Sequence, residues 1–243
     1  MSLAVVGHLS RDVIAGDAPR IGGPPWHAAR ALRALGVDAR IVAKCGERDA
    51  IDFSRALETT NIPFELAVGA ETTSFSFSYD TAGVRTMVVD AVGDPWRRDE
   101  LRLEDVEWVY VGSLLRGEID VGWVTDGRTV LLDGHGLVRV PEPGPLRLDG
   151  SFDHAQLRGV EMLKLAEEEA AAAGPVDVPE LIVTHGAHGA TVNGVHVEAD
   201  PVDNDPTGAG DMFGAAYLVA RARGEAPVDA ARRAAALVSE LLR

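Results

Sequence analysis

The chain reads Asn204-Asp205-Pro206-Thr207-Gly208-Ala209-Gly210-Asp211-Met212-Phe213-Gly214-Ala215-Ala216-Tyr217-Leu218 near its C-terminus. In this stretch a tight turn of two glycines and an alanine is followed by a carboxylate and then by an apolar helical run. Backbone N–H groups of such a turn, backed by a helix N-terminus, form a site for a phosphate-like anion. A carboxylate beside that site can accept a proton from an attacking hydroxyl, so the stretch indicates phosphoryl transfer to an alcohol. The plainer alternative is an ordinary loop in which Asp211 is only a first-turn carboxylate.

Around this stretch, short apolar runs alternate with helical patterns along the whole chain. The apolar runs are continuous, which is typical of parallel strands covered on both faces. The order strand, helix, strand predicts an α/β fold with a doubly wound, mostly parallel sheet flanked by helices. The predicted strands are Leu3–Val6, Ala39–Ala43, Trp108–Val111, Thr129–Leu132, Met162–Leu165 and Leu181–Thr184, and the predicted helices include Trp26–Leu35, Ala50–Glu58, Glu167–Ala173, Asp211–Arg223 and Val228–Leu242.

The composition narrows the classes of function. The chain has 243 residues, 46% of them hydrophobic, and 23 Lys and Arg against 38 Asp and Glu, which gives a net charge of −15. This charge argues against a nucleic-acid surface and against anionic membranes, although a local pocket can still bind an anionic nucleotide. Cys45 is the only cysteine, and no apolar run approaches the roughly 20 residues that span a bilayer. The N-terminus has the pattern of a strand, and we expect a cytoplasmic protein.

Asp205 to Asp211 closely resembles the signature of the ribokinase-like (PfkB) carbohydrate kinase family. Other short motifs of that family follow the expected order along most of the chain: Gly7–Asp12, Gly22–Leu32, Lys164–Glu169 and Thr184–Ala190. The resemblance implies a single ribokinase-like kinase domain over residues 1–243. It also implies transfer of a phosphoryl group from ATP, with Mg²⁺, to a hydroxyl of a sugar or polyol.

The resemblance assigns catalytic roles to the opening stretch. Asp211 would be the general base, and the backbone N–H groups of Gly208, Ala209 and Gly210 would stabilise the transferring phosphoryl group. In some relatives, the positions of Asp205 and Thr207 hold a monovalent cation such as K⁺.

The acceptor would bind near two N-terminal motifs. Asp12 follows the first strand and would hydrogen-bond substrate hydroxyls; the alternative is a solvated turn residue. Gly22 and Gly23 would bring the backbone close to the substrate at a helix start. Trp26 could cover the C–H face of a sugar or cyclitol ring, or it could be a core residue.

The donor would bind near two C-terminal motifs. Thr184, Gly186 and Gly189 match the family's nucleotide loop. Glu169 matches the glutamate of the family's Asn-x-x-Glu element, which organises Mg²⁺, and it would act through water. The asparagine position is occupied by Ala166, which departs from the family pattern.

Thr72–Tyr79 and Arg85–Val89 alternate apolar and polar residues around the turn residues Asp80–Gly83, which predicts a β-hairpin. In the resembled family, strands at this point form a lid over the sugar site; an edge hairpin of the main sheet is the alternative. Asp12 lies only ten residues before Gly22, so the lid is predicted to be reduced to this hairpin, at about residues 72–91. Relatives often dimerise through the lid, and Phe75, Phe77 and Tyr79 would suit that contact.

The identity of the acceptor stays open at this level. Three stretches are most similar to inositol-kinase-like members: Val5–His8, Gly22–Pro25 and Asp205–Thr207. A pentose, a hexose or a nucleoside remains an alternative acceptor. A vitamin-precursor kinase of the same superfamily would instead use a heteroaromatic alcohol. In a different class, the Ala166 departure is compatible with a degenerate kinase that only senses a nucleotide or sugar.

Overall fold

The computed structural model describes residues 2–14, 17–79, 85–200, 202 and 206–243, and the side chains of Tyr79 and Arg85 fall outside the description. Its strands are β1 (Leu3–His8), β2 (Ser10–Ile14), β3 (Arg20–Gly22), β4 (Ala39–Gly46), β5 (Phe64–Gly69), β6 (Ser74–Tyr79), β7 (Arg85–Ala91), β8 (Trp108–Gly112), β9 (Thr129–Asp133), β10 (Gly144–Pro145), β11 (Met162–Ala166), β12 (Glu180–Thr184), β13 (Ala190–Val192) and β14 (Val195–Val197). Its helices are α1 (Pro24–Leu35), α2 (Ala50–Glu58), α3 (Gly122–Thr125), α4 (His135–Val138), α5 (Glu167–Ala173), α6 (Ala209–Ala222) and α7 (Pro227–Leu242).

Within the described ranges, nine strands form the main sheet in the order β14-β13-β12-β11-β9-β8-β1-β4-β5. The strands from β12 to β5 pair in parallel, and β13 and β14 add an antiparallel edge. All six strands predicted from apolar runs lie in this sheet, and the predicted α/β class is confirmed.

Helices cover both faces of the main sheet. In β1, Leu3 and Val5 point into a hydrophobic cluster with α1, α2, α6 and α7, whereas Ala4 and Val6 point into a second cluster on the opposite face. The second cluster includes buried residues of α3, α4 and α5. This two-sided burial explains why the strands read as continuous apolar runs.

Five described strands form a second sheet, in the order β10-β7-β6-β2-β3, which we call the lid sheet. The antiparallel pairing of β6 with β7 confirms the predicted hairpin, and its separation from the main sheet excludes the edge-hairpin alternative. The prediction of a lid reduced to this hairpin is wrong. Only Leu9 separates β1 from β2, so the chain passes directly from one sheet to the other, and β2 and β3 fit between the first two motifs.

Gly144 and Pro145 form the short strand β10 and pair with Val88 and Val89 of β7. Asp80–Gly83, the predicted turn, lies outside the described residues.

The predicted dimer contact is also revised. Phe75 and Phe77 are 2% and 7% exposed and pack with Leu114 and Leu115 inside the chain. They are therefore unavailable to a second copy.

Candidate active site

A cavity of about 580 Å³ lies between the carboxyl ends of the main-sheet strands and the inner face of the lid sheet. Three regions meet there: the start of α6, the end of β11 with the start of α5, and the inner face of β2, β6 and β7. In open α/β sheets, ligands bind in the crevice at the carboxyl ends of the strands. The cavity therefore has the position expected for the active site.

Asp211 lies in the first turn of α6 and lines this cavity, although its side chain is only 8% exposed. The helix begins after Gly208, whose φ of 79° is in the left-handed region that favours glycine. Burial and the nearby carboxylate of Asp133 raise the pKa of Asp211 to about 6. Asp211 is therefore largely ionised at neutral pH and more basic than an ordinary aspartate, as a general base requires.

A chain of buried polar contacts leads away from Asp211. The Tyr110 hydroxyl donates to Asp133 Oδ2 at 2.7 Å and lies 3.4 Å from Asp211 Oδ1. Lys164 Nζ is 2.8 Å from Asp133 Oδ2, and both side chains are at most 2% exposed. Burial opposes the charge on Lys164, but Asp133 and Asp211 outweigh it and raise the lysine pKa. Lys164 is therefore a fixed cation on the wall of the cavity.

A second set of buried contacts surrounds Glu169, at the third position of α5. Its carboxylate accepts from the Ala166 backbone N–H at 3.0 Å and from Arg139 Nε at 3.1 Å, and His135 Nε2 lies 3.3 Å away. Burial and Arg139 lower the pKa of His135. Glu169 is 1% exposed and is occupied by these partners, so the structure does not bring it to the cavity as the predicted magnesium residue.

The backbone around Gly208 matches the predicted anion site with one change. The Ala209 N–H donates to the Pro206 carbonyl at 2.9 Å and is therefore not available to a phosphoryl group. Within the described residues, the N–H groups of Gly208, Gly210 and Asp211 have no backbone partner. Donors of this kind at a helix N-terminus are suited to bind an anion.

The structure brings most of the predicted acceptor residues together. Asp12 on β2 lines the cavity at 5% exposure, and burial raises its pKa to about 6. Gly23 lines the cavity where α1 begins, and Gly22 packs so closely on Asp12 that a Cβ at that position would overlap the carboxylate. Trp26 does not line the main cavity: it packs against the hydrophobic cluster of α1, α6 and α7 and borders a separate surface cleft.

The predicted donor residues lie at the other end of the cavity. Thr184, Gly186 and Thr207 line it, and Gly189 closes the loop with a φ of 91°. An adjoining cavity of about 270 Å³ continues past Gly186 and Gly189 between α6 and α7, with Phe213 and Val238 among its apolar lining residues. Its size and apolar walls suit a planar heterocycle. Asp205, the predicted cation residue, lies outside the described residues.

A hydrated divalent cation fits the acidic residues that remain. Among the described residues, one group of possible metal ligands is formed by Asp133, His135 and Asp211. Each offers one ligand atom, and these atoms lie within 4.8 Å of one another. Asp133 and His135 are already engaged by Lys164 and Glu169, which leaves Asp211. Glu168 also lines the cavity, and no partner is found for it among the described residues. Magnesium keeps several waters and needs one or two carboxylates besides the donor phosphates.

Comparisons with known proteins agree with this geometry. Residues 153–242 match the family model described as pfkB family carbohydrate kinase. A solved pyrophosphate-dependent kinase in the ribokinase family, in complex with sulfate, is 25% identical, with a TM-score of 0.84 over 99% of this chain and 95% of that chain. The fold is ribokinase-like, and the C-terminal part of the chain matches the PfkB family model.

Other solved structures share the ribokinase-like fold. A pyrophosphate-dependent kinase in the ribokinase family, complexed with a pyrophosphate analogue and myo-inositol, is 24% identical, with a TM-score of 0.84 over 99% of this chain and 95% of that chain. A nucleoside kinase of Burkholderia thailandensis, in complex with inosine, is 18% identical, with a TM-score of 0.77 over 98% of this chain and 89% of that chain. No curated protein matches the chain. None of the described helices is long and apolar enough to cross a membrane.

Sequence reasoning missed five side chains of this ribokinase-like site: Tyr110, Asp133, His135, Arg139 and Lys164. Two of them carried a usable signal. Asp133 ends the apolar run Thr129–Leu132, and Lys164 interrupts the apolar run Met162–Leu165. A charged residue within or at the end of a buried strand needs a partner, and the carboxyl end of a parallel sheet is where ligands bind. The other three side chains carried no comparable signal.

Proposed function

We propose that this ribokinase-like kinase transfers a phosphoryl group to a hydroxyl of a small sugar or polyol, with Asp211 as the general base. One observation carries the proposal: a buried carboxylate of raised pKa lies at the N-terminus of α6, beside three free backbone N–H groups and the Lys164 ammonium. A proton acceptor and an anion site adjoin in one cavity. The relatives solved with myo-inositol and with inosine support a hydroxylated acceptor of this size.

In the proposed mechanism the acceptor hydroxyl faces Asp211, which takes its proton as the phosphoryl group is transferred. Asp12 accepts hydrogen bonds from other acceptor hydroxyls and orients the ring. The N–H groups of Gly208 and Gly210, together with Lys164, stabilise the charge on the transferring group. The transition state of phosphoryl transfer is loose and charged, so positioning and electrostatics carry most of the rate enhancement.

ATP with Mg²⁺ is the proposed donor. The apolar cavity between α6 and α7 supports a nucleotide, because pyrophosphate has no group to fill it. Bound magnesium would neutralise charge on the donor phosphates, with Glu168 as its protein carboxylate. Pyrophosphate is the alternative donor, supported by the pyrophosphate-dependent kinases among the relatives.

The test is a transfer assay with two donors, ATP and pyrophosphate, each against a panel of cyclitols, pentoses, hexoses and nucleosides. We expect Asp211→Asn to lower kcat by about 100-fold or more, since loss of a general base typically costs 10²–10⁴-fold. Asp229→Asn is the matched control because Asp229 is a first-turn carboxylate of α7 that is exposed and far from the cavity. Transfer that is unchanged in Asp211→Asn would remove the proposed base. A protein that transfers to no acceptor from either donor would contradict the proposed function.

A further inference from the structure

The inner face of the lid sheet is polar at one end and apolar at the other. Residues paired across neighbouring strands point to the same face, so each pairing defines a row across the sheet. Asp12 pairs with Phe75, and Phe75 pairs with Val89; in the next row Ile14 pairs with Phe77, and Phe77 with Met87.

Within the described residues, the polar groups of this face lie on β2 and on its neighbour β3, where Arg20 pairs with Asp12. Ser10 and Asp12 are both buried and line the cavity, while every inward-facing residue of β6 and β7 that lines it is apolar: Phe75, Phe77 and Met87. The serines of β6, Ser74 and Ser76, alternate with the phenylalanines and lie on the opposite face.

The apolar part of the lid continues into the body of the protein. Phe75, Phe77 and Val89 form one hydrophobic cluster with Leu114 and Leu115, and Ile14 and Met87 pack against it. The rings of Phe75 and Phe77 are tilted by 47° with centroids 6.2 Å apart. Leu114 is 5% exposed and also lines the cavity, so two elements contribute to one apolar wall.

This wall restricts the acceptor. A ring that carries hydroxyls around its whole rim would place some of them against Phe77, Met87 and Leu114, where the described residues offer no hydrogen-bond partner to replace water. Burying a hydroxyl without a partner weakens binding, whereas burying an apolar ring there strengthens it.

We infer that the acceptor combines a hydroxylated ring with an aromatic substituent, so that its hydroxyls lie at Ser10 and Asp12 and its aromatic group lies along Phe75, Phe77 and Met87. This inference rests on the proposed function, because it assumes that the hydroxyl next to Asp211 is the one phosphorylated. Nucleosides and aryl glycosides, whose sugar ring carries the reacting hydroxyl, belong to the inferred class and should be preferred over free sugars and free cyclitols.

The experiment compares matched glycosides that differ only in the substituent. Methyl and phenyl β-glycosides of ribofuranose, glucopyranose and galactopyranose are tested beside inosine, free ribose and myo-inositol. Binding is measured by calorimetry and transfer by kcat/KM with ATP. For at least one sugar, we expect the phenyl glycoside to bind at least about 10-fold more tightly than the methyl glycoside, because the phenyl ring is buried against the apolar wall.

Substitutions in the lid sheet test whether its apolar wall causes the preference for phenyl over methyl glycosides. Phe77→Leu keeps an apolar core residue but removes the ring, and we expect it to reduce the phenyl-to-methyl ratio about 3- to 10-fold while binding of the methyl glycoside changes little. Ser76→Ala, on the opposite face of the same strand, is the matched control and should leave the ratio unchanged. Phe77→Asn should reduce the ratio further.

The outcomes separate this inference from the proposed function. Transfer to free ribose or myo-inositol that is as efficient as transfer to every aromatic compound would overturn the inference and leave the proposed function standing. Tighter binding of a phenyl glycoside without transfer to any acceptor would support the inference about the wall and contradict the proposed function. Absence of both binding and transfer, or a ratio that Phe77→Leu does not alter, would also overturn the inference.

Discussion

Two aspartates that share one tyrosine have opposite acid–base properties in this site. Burial raises the pKa of both, but His135 and Lys164 beside Asp133 lower its pKa to about 2, while Asp211, next to the Asp133 carboxylate, has a pKa of about 6. The Tyr110 hydroxyl lies between them. Such a difference between the pKa values of two neighbouring carboxylates assigns their roles: Asp133 remains an anion, and Asp211 exchanges a proton.

Lys164→Met tests whether this lysine acts in the reaction as well as in the fold. Lys44→Met is the matched control, because Lys44 is equally buried and pairs with Glu100 at 2.6 Å but does not line the cavity. Lys164→Met leaves the buried Asp133 carboxylate without its ammonium, and we expect it to lower the free energy of unfolding by about 3–5 kcal/mol. Lys44→Met should also lower it, but by less, because Glu100 keeps its pairing with Arg97 at 3.2 Å. Only Lys164→Met should also lower kcat of the folded enzyme, by about 100-fold.

Urea unfolding measures the first effect, and the transfer assay below the unfolding transition measures the second. Equal kcat in the two folded variants would show that Lys164 is purely structural.

At the scale of elements, the start of α6 depends on how closely it packs against α1. A Cβ at Gly208 would overlap the His27 imidazole, and Gly208 has a φ of 79°. Farther along α6, Gly214 allows the Tyr110 ring to approach the helix; a Cβ there would lie 2.9 Å from the ring. The two glycines therefore fix where Asp211 lies relative to α1 and β8.

Gly208→Ala should lower the free energy of unfolding by about 2–5 kcal/mol, because it adds the overlap with His27 to the strain of a positive φ. Gly224→Ala is the control: its φ is 87°, and a Cβ there meets nothing within 4 Å. We expect this control to cost only the backbone strain, about 1–2 kcal/mol. Denaturant titrations of both variants check the difference, and equal losses would mean that packing against His27 does not matter.

The elements of the main sheet could be predicted from the sequence because burial on both faces leaves a local signature in each strand. The lid sheet could be predicted only in part. The hairpin β6–β7 is local, but β2 pairs with β6 from about sixty residues away, and nothing within Ser10–Ile14 specifies that partner. The same distinction holds in the site: Asp211 and Asp12 belong to contiguous motifs, whereas Arg139 meets Glu169 only through the fold.

At the scale of the whole molecule, a buried polar cluster joins the two sheets. The Glu118 carboxylate accepts from Thr73 Oγ1 at 3.0 Å, just before β6, and from the Leu114 N–H at 2.6 Å. It also lies 3.2 Å from Nδ1 of His8, the last residue of β1. Despite burial, Glu118 raises the pKa of His8, and His8 lowers the pKa of Glu118. The lid sheet is therefore attached to the main sheet through a buried ion pair.

Glu118→Gln should lower the free energy of unfolding by about 2–4 kcal/mol at pH 5–6. The contribution of Glu118 is present above its ordinary pKa of 4.5 and is lost as pH falls through its lowered folded value. The contribution of His8 is present below its ordinary pKa of 6.5 and is lost as pH rises through its raised folded value. The deficit of the variant should therefore be largest between these two values and smaller at either extreme.

Unfolding measured from pH 4 to pH 9 checks this profile. Glu142→Gln is the control, because Glu142 also forms an ion pair, with Arg147, but is 66% exposed. A surface pair contributes about 0–1 kcal/mol, so this variant should follow the wild type. A deficit of Glu118→Gln that is independent of pH would contradict the ion pair.

The helix that carries Asp211 is buried at every position from Asp211 to Ala220. Such a helix cannot detach locally without exposing the centre of the protein, so its opening requires nearly the full free energy of unfolding. Heat inactivation of this protein should consequently coincide with melting of the whole chain, and resistance to heat can be gained anywhere in the fold without altering the groups around Asp211.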